Sequence, residues 1–314
     1  MRVIFLGTPE FAVPTLEAII AAGHEVVEVV TQPDRPQGRR QELIPSPVKA
    51  AALRHGLTVW QPERIRRPEA VEHLRELAPE VMVVVGYGQI IPQNVIDIPR
   101  HGIINVHASL LPELRGAAPI QWSIARGFTR TGVTTMQIDA GLDTGAILLQ
   151  RDTEICPDET APELSRRLAP MGADLLVETL AGVAAGTLFS VPQNNTKATL
   201  APILKKEDGR IDWSFSAQTI HNLIRGLQPW PGAWTIFRGQ SLHLWRSRLA
   251  PGRPAASGLA LAPGALLCER GVFATGGDGT ALELLEVQLE GRKRMRADVF
   301  ANGCRLTQNE LFGA

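Results

Sequence analysis

The chain has 314 residues, 44% of them hydrophobic and 20% charged, a balance that excludes a disordered or fibrous protein and, at roughly 100 to 200 residues per domain, predicts two domains with a core each. The 32 Lys+Arg and 32 Asp+Glu cancel, so a chain coated for nucleic acid is excluded; residues 1–205 hold 19 basic and 22 acidic side chains and residues 206–314 hold 13 and 10, which permits a polyanion along the second half without demanding one. Cys156, Cys268 and Cys304 form no CxxC or Cys/His pair, so neither a disulfide scaffold nor a metal site is expected, and the compartment is expected to be reducing.

The apolar run at residues 3–6 is too short for a signal peptide, and no uninterrupted stretch of 18 apolar residues occurs. No membrane association is expected, and a cytoplasmic location is. Residues 2–6 read as a buried strand, Gly7-Thr8-Pro9-Glu10 as a turn, residues 11–22 as a helix stopped by Gly23, and residues 25–31 as a second strand. Buried strands follow at residues 81–85, ending in Gly86-Tyr87-Gly88, and at residues 102–106, with helical stretches at residues 68–77 and 161–185. Strands alternating with helices imply a doubly wound, Rossmann-like α/β domain with a parallel sheet, whose ligand sits at the carboxyl ends of the strands.

The pattern changes after Phe189. A helix at residues 216–227 precedes short alternating segments at 233–237, 241–246, 264–269, 271–275 and 282–287, the signature of a small β-barrel or sandwich, of which an OB-like barrel is the expected form. The Pro/Ala/Gly-rich stretch 250–263 reads as an exposed loop. The expected organisation is a domain at 1–189, a linker at 190–205 and a β-rich domain at 206–314.

Gly7-Thr8-Pro9-Glu10 occupies the place of a dinucleotide turn, but GxGxxG and the P-loop are absent, so a tight strand-to-helix turn is the better reading. Asn105 and His107 carry more information. Two apart at the end of a predicted strand, they share one face, so an amide and an imidazole converge where such a sheet holds its ligand. Pro112 stiffens the turn that follows, and Gly141-Leu142-Asp143-Thr144-Gly145 supplies a carboxylate flanked by glycines, where backbone can approach a ligand closely.

Asn105-x-His107-x-Ser109-Leu110-Leu111-Pro112-x-x-Arg115-Gly116, followed by Gly141-x-Asp143-Thr144-Gly145, resembles the 10-formyltetrahydrofolate-dependent formyltransferases. Gln32-Pro33-Asp34-Arg35-Pro36-Gln37-Gly38-Arg39, Pro45-Ser46-Pro47-Val48-Lys49, the Lys206 to Trp213 stretch and Pro229-Trp230-Pro231-Gly232-Ala233 resemble the branch that formylates methionyl initiator tRNA. The likeness runs over nearly the whole chain, loosening at residues 294–314. It implies 10-formyltetrahydrofolate as co-substrate, initiator methionyl-tRNA as partner, no metal, and Asn105, His107 and Asp143 as the catalytic group. It further implies that Ser109, Leu110, Leu111 and Pro112, with the backbone of Gly86, Tyr87, Gly88, Gln89 and Ile90, hold the pterin. A monomer is expected.

Read from its residues alone, the loop at 31–47, with Arg35, Arg39 and Arg40 among prolines, is a solvated surface loop; the resemblance makes it an arm that enters the tRNA acceptor stem, led by Arg39. Arg292, Lys293 and Arg294, followed by Arg296, form the best phosphate-binding cluster of the second half. Trp213, Trp230, Trp234 and Trp245 are read as core in preference to a base-stacking platform. An enzyme that formylates an amino-sugar nucleotide is the nearest alternative, and the arginine-bearing arm, which a small sugar nucleotide would not need, argues against it. A nicotinamide-dependent oxidoreductase lacks its glycine fingerprint, and a tRNA-binding protein without catalysis leaves Asn105, His107 and Asp143 unused.

Overall fold

The structure, a computed structural model, describes residues 1–37, 42–250, 262–268, 270–307 and 310–313, without the side chains of Gln37 and Glu42. Two compact units organise them. The first comprises Met1–Gly116, Thr131–Thr153 and Ser165–Leu200; the second comprises Ala117–Arg130, Glu154–Leu164 and Ala201–Ala314.

In chain order the elements begin β1 (Arg2–Gly7), α1 (Val13–Ala21), β2 (Glu25–Val30), β3 (Arg35–Gln37), β4 (Glu42–Ile44), α2 (Pro47–Arg54), β5 (Val59–Trp60) and α3 (Pro68–Glu76). They continue with β6 (Val81–Val85), α4 (Gln93–Ile96), β7 (Ile103–His107), α5 (Pro119–Ala125), β8 (Arg130–Gln137), β9 (Ile147–Glu154) and α6 (Ala161–Ala185). The first unit is built on a seven-stranded sheet ordered β5-β2-β1-β6-β7-β8-β9.

β5, β2, β1, β6 and β7 pair in parallel, as the continuous apolar runs predict for strands covered on both faces. Alternation along β1 shows the double winding directly. Val3 and Phe5 face a core shared with Leu16 and Ile19 of α1, Val48 and Ala51 of α2, and Leu176 and Leu180 of α6; Ile4 and Leu6 face Val71 and Leu74 of α3. The sheet is parallel from β5 through β7, as expected, and turns antiparallel at β8, which runs against β7. A strand buried on both faces carries no mark of its direction in its sequence, so the reversal is visible only in the pairing register.

α6 has the length and mean hydropathy of a membrane-crossing helix. It also covers the sheet: Leu176 and Leu180 are fully buried in the core that holds Val3 and Phe5, and a Cβ on Gly172 would come within 2.8 Å of Val106 Cγ1 of β7.

Ser46 shows how local chemistry starts an element. Its Oγ accepts from Lys49 N at 3.1 Å, capping α2, and shares a 2.8 Å hydrogen bond with the buried Thr31 hydroxyl. Ser46→Ala is expected to lower unfolding stability by about 1 to 2 kcal/mol, read as a shift of the urea midpoint at unchanged slope.

The second unit adds α7 (Ala217–Gly226), β10 (Ala233–Phe237), β11 (Gln240–Ala250), β12 (Leu266–Cys268), β13 (Val272–Thr275), β14 (Ala281–Leu289), β15 (Met295–Arg296) and α8 (Ala297–Cys304). Its strands form a small barrel-like antiparallel sheet, ordered β10-β11-β14-β13-β12 with β15 on β14. Period-two burial along β10 directs Ala233, Thr235 and Phe237 inward, onto a core with Ile220, Ile224, Leu244, Leu282, Phe300 and Phe312. Trp213 belongs to it, stacked on Phe312 at 5.1 Å with its indole N–H donating to Thr235 Oγ1 at 3.0 Å. α5 packs on α7 in this unit, where a Cβ on Gly226 would meet Ala125 N at 2.6 Å. Of the predicted loop at 250–263, residues 251–261 lie outside the described residues.

Candidate active site

β1, β6 and β7 end side by side, because Gly7 pairs Val85 and Val84 pairs Asn105. Gly86 follows the end of β6 and His107 ends β7, and Gly86, at φ +59°, lies against Pro9, whose Cγ a Cβ there would approach to 2.8 Å. This crowding of strand ends is the carboxyl edge at which a doubly wound sheet holds its ligand.

Asn105 and His107 project from one face of β7 and are 9% and 6% exposed. His107 Nε2 donates to the Leu114 carbonyl at 3.0 Å, which places the proton of the neutral ring there and turns the Nδ1 lone pair toward Asp143 Oδ2, 3.7 Å away. Asp143 is itself held: Gly116 N–H donates to its Oδ2 at 2.8 Å. Its loop closes through Asp139, whose Oδ1 accepts from Gly141 N and Thr144 Oγ1 at 3.0 and 2.7 Å. Asp143 sits at φ +50°, an uncommon conformation for a residue with a side chain. Gly145 is required beside it, since a Cβ there would fall on the Gln137 carbonyl oxygen.

The three residues singled out from the sequence are therefore brought together. Among the described residues, the Asn105 amide makes no hydrogen bond within the protein, although it is buried at the strand end. The amide still reaches solvent at the strand end, so its N–H is available for an oxygen that the protein does not supply.

The turn after β7 is rigid. Thr134 Oγ1, opposite His107 on β8, donates to Ser109 O at 2.7 Å and accepts from Leu111 N and Gln150 Nε2 at 3.2 and 2.9 Å. Ser109 Oγ donates to Glu113 O, Gln150 Nε2 also donates to Leu111 O, and Thr199 N donates to Pro112 O. Leu110 O accepts from Glu113 N. The carbonyls of Ser109, Leu110, Leu111 and Pro112 each have one protein partner, so this turn is a preformed wall with single lone pairs left over.

At the end of β6, Gly86 and Gly88 are exposed, while the Tyr87 ring is buried in the core and burial pushes its phenol upward. Tyr87 presents only backbone, and its carbonyl accepts from Thr8 Oγ1 and Gln32 Nε2 at 3.1 Å each. Gln89 folds back, accepting from Ile65 N at 2.9 Å. Ile90 stands out, 90% exposed. Exposed glycine backbone beside a preformed wall suits a flat heterocycle with an amide edge.

Arg35 is exposed on the β3–β4 hairpin, while Arg39 and Arg40 lie outside the described residues. The hairpin's base is clasped. Lys49 pairs with Asp34 and donates to Gln61 Oε1 at 2.7 Å, and Gln61 Nε2 donates to Asp34 Oδ1 and Gln32 O at 2.8 Å each. The Lys49 hydrogen bond, then that of Gln61, holds the Asp34 carboxyl below its ordinary range. The clasp therefore contributes stability above the ordinary carboxylate pKa and loses it as pH falls through the lowered value. This lysine and glutamine were not singled out from the sequence as a pair; only their contact across 12 residues reveals them.

In the second unit Arg292, Lys293 and Arg294 are exposed. Arg294 pairs with Glu286 and lies 5.1 Å over the Trp245 ring, and Arg296 pairs with Asp298 at 2.8 Å. Among the described residues, the Arg292 and Lys293 side chains have no partner. Trp230 is exposed, unlike Trp213.

Two family models match the chain: Formyl transferase over residues 1–180, and Formyl transferase, C-terminal domain, over residues 203–305. A methionyl-tRNA formyltransferase of Solibacter usitatus is 65% identical over 313 residues, covering 100% of this chain and 99% of that protein. A methionyl-tRNA formyltransferase of Koribacter versatilis is 55% identical over 315 residues, with the same two coverages. Among solved structures, an N-formyltransferase of Helicobacter canadensis, in complex with folinic acid and dTDP-3-aminofucose, superposes with a TM-score of 0.69 over 90% of this chain and 98% of that one at 20% identity. That likeness extends to the fold.

Proposed function

This chain belongs to the formyl transferase family, and we propose that it transfers the formyl group of 10-formyltetrahydrofolate to the α-amino group of methionyl initiator tRNA, a cytoplasmic step in preparing translation initiation. The observation that carries the reading at the site is the unpartnered Asn105 amide, buried at the end of β7 beside the His107–Asp143 pair. The close full-length relatives supply the acceptor class.

The chemistry has modest needs on the nucleophile's side. An α-amine has a pKa of about 7.7 to 8.0, and esterification of the neighbouring carboxyl lowers it, so much of the amine is neutral at pH 7. Its nitrogen lone pair attacks the formyl carbon, a C–N bond forms, and the C=O π pair moves onto oxygen. The Asn105 N–H donates to that developing oxyanion. The new ammonium gives up a proton to His107 Nδ1, which the Asp143 carboxylate faces, and the imidazolium is then held between that carboxylate and the Leu114 carbonyl. The oxyanion collapses, the bond from the formyl carbon to N10 breaks, and the proton held on His107 passes to N10 as tetrahydrofolate leaves, which returns the imidazole to its neutral form. Gly86, Gly88 and the Ser109–Pro112 wall are placed to receive the pterin.

The reading is tested by offering the purified protein 10-formyltetrahydrofolate with either charged initiator tRNA or an amino-sugar nucleotide. Formyl transfer to tRNA is expected; transfer to the sugar alone would replace this reading with the alternative. In the tRNA reading the hairpin arm meets the acceptor stem. Arg39→Ala then removes a charge-assisted contact of about 1.5 to 3 kcal/mol, roughly a ten- to hundred-fold loss in kcat/KM for charged tRNA, with folate binding unchanged. A phosphate contact would also lower the slope of log affinity against log salt by just under about one unit. A base-edge contact would instead erode discrimination between initiator and elongator. Unchanged kcat/KM for both tRNAs at every salt concentration would reduce the arm to a solvated loop.

A further inference from the structure

Both loops that carry the site converge on one side chain from elsewhere in the chain. Gln193 Oε1 accepts from Arg115 Nε and Nη2 at 3.0 and 2.7 Å, and its Nε2 donates to the Asp143 and Gly145 carbonyls at 2.9 and 2.8 Å. The amide is thus used at both ends in opposite senses, oxygen to a guanidinium and nitrogen to two carbonyls, and a reversed amide would satisfy neither. Arg115 is buried and also donates to Asn195 Oδ1 at 2.8 Å. Thr199 completes the strap: its hydroxyl accepts from Leu114 N and its carbonyl from Arg115 N, both at 2.9 Å.

The strap meets a strained residue. Asp143 holds φ +50° with its carboxylate on the Gly116 N–H, and such a conformation persists only where the surroundings impose it. Gln193 grips the backbone of Asp143 itself. We propose that Gln193 is a positioning residue for formyl transfer, its amide N–H groups keeping the Asp143 carboxylate against His107. This rests on the reading above, in which Asp143 serves His107. Without those donors the carbonyl is released, the backbone relaxes toward negative φ, and the carboxylate leaves the imidazole.

Two variants separate positioning from folding. Gln193→Glu keeps an acceptor for Arg115 but has no N–H for the Asp143 and Gly145 carbonyls; Gln193→Met loses both. Each is expected to lower kcat, by up to about 100-fold for a displacement near 1 Å, with KM for charged tRNA and formyl donor little changed and, for Gln193→Glu, an unchanged melting temperature. In an Asp143→Asn background, Gln193→Glu should cause no further loss, since both changes act through one carboxylate. The imidazole ring chemical shifts of His107 should move in Gln193→Glu toward their values in Asp143→Asn. They decide the proposal without turnover, so a parent protein that fails to formylate tRNA sinks the functional reading and leaves this one still measurable. Parental kcat in both variants, losses that multiply with Asp143→Asn, unmoved His107 ring chemical shifts, or melting temperatures lowered in both variants would each overturn the positioning role.

Discussion

Asn105→Ala is expected to lower kcat by about 100- to 1,000-fold at saturating substrates, the typical loss when one oxyanion donor is removed. Among the described residues the amide makes no hydrogen bond within the protein and reaches solvent at the end of β7, so no hydrogen bond of the fold is lost with it. Its deletion should leave the melting temperature near that of the parent, unlike the removal of a side chain inside a hydrogen-bonded network. KM should change little, because the charge it meets develops only as the amine attacks. Single-turnover measurement of formyl transfer, alongside tetrahydrofolate binding, separates the two. A variant with parental kcat would remove Asn105 from the reaction.

His107→Ala and Asp143→Asn form the second large pair. Each should depress kcat by orders of magnitude, and combining them should cost little more than His107→Ala alone. Residues that act as a unit lose their function once, not twice. The geometry supplies the reason: Nδ1 faces the carboxylate at 3.7 Å while Nε2 is committed to the Leu114 carbonyl. Asp143→Asn replaces the charge with an amide that cannot stabilise the imidazolium. If the two losses multiply in the double variant, Asp143 has a task separate from His107.

The legible parts of the fold and site are those written in local pattern. Period two along β7 places Asn105 and His107 on one face, and the structure places both at the strand end. Gly141 and Gly145 flank Asp143 because neither position tolerates a Cβ, one meeting Thr144 and the other the Gln137 carbonyl. Contacts between distant polar side chains leave no such trace. Gln193 lies 50 residues from Asp143 and 78 from Arg115, and residues 192–196 read in the sequence only as a change of pattern. Gln61 and Lys49 clasp Asp34 in the same hidden way. Strand direction is equally silent, so β8 reverses without a signal in its side chains.

The second unit is assembled from three separated stretches, 117–130, 154–164 and 201–314. During synthesis the first two leave the ribosome before the third exists. At roughly 5 to 20 residues per second, α5 waits on the order of five to twenty seconds for α7 to be made. Through that interval Ile124 and Ala125, buried in the finished protein, have no α7 to cover them, so a stalled nascent chain that ends before about residue 217 is a natural client for a chaperone at this short helix. A fragment cut off at its C-terminal side before α7 inherits the same uncovered face permanently.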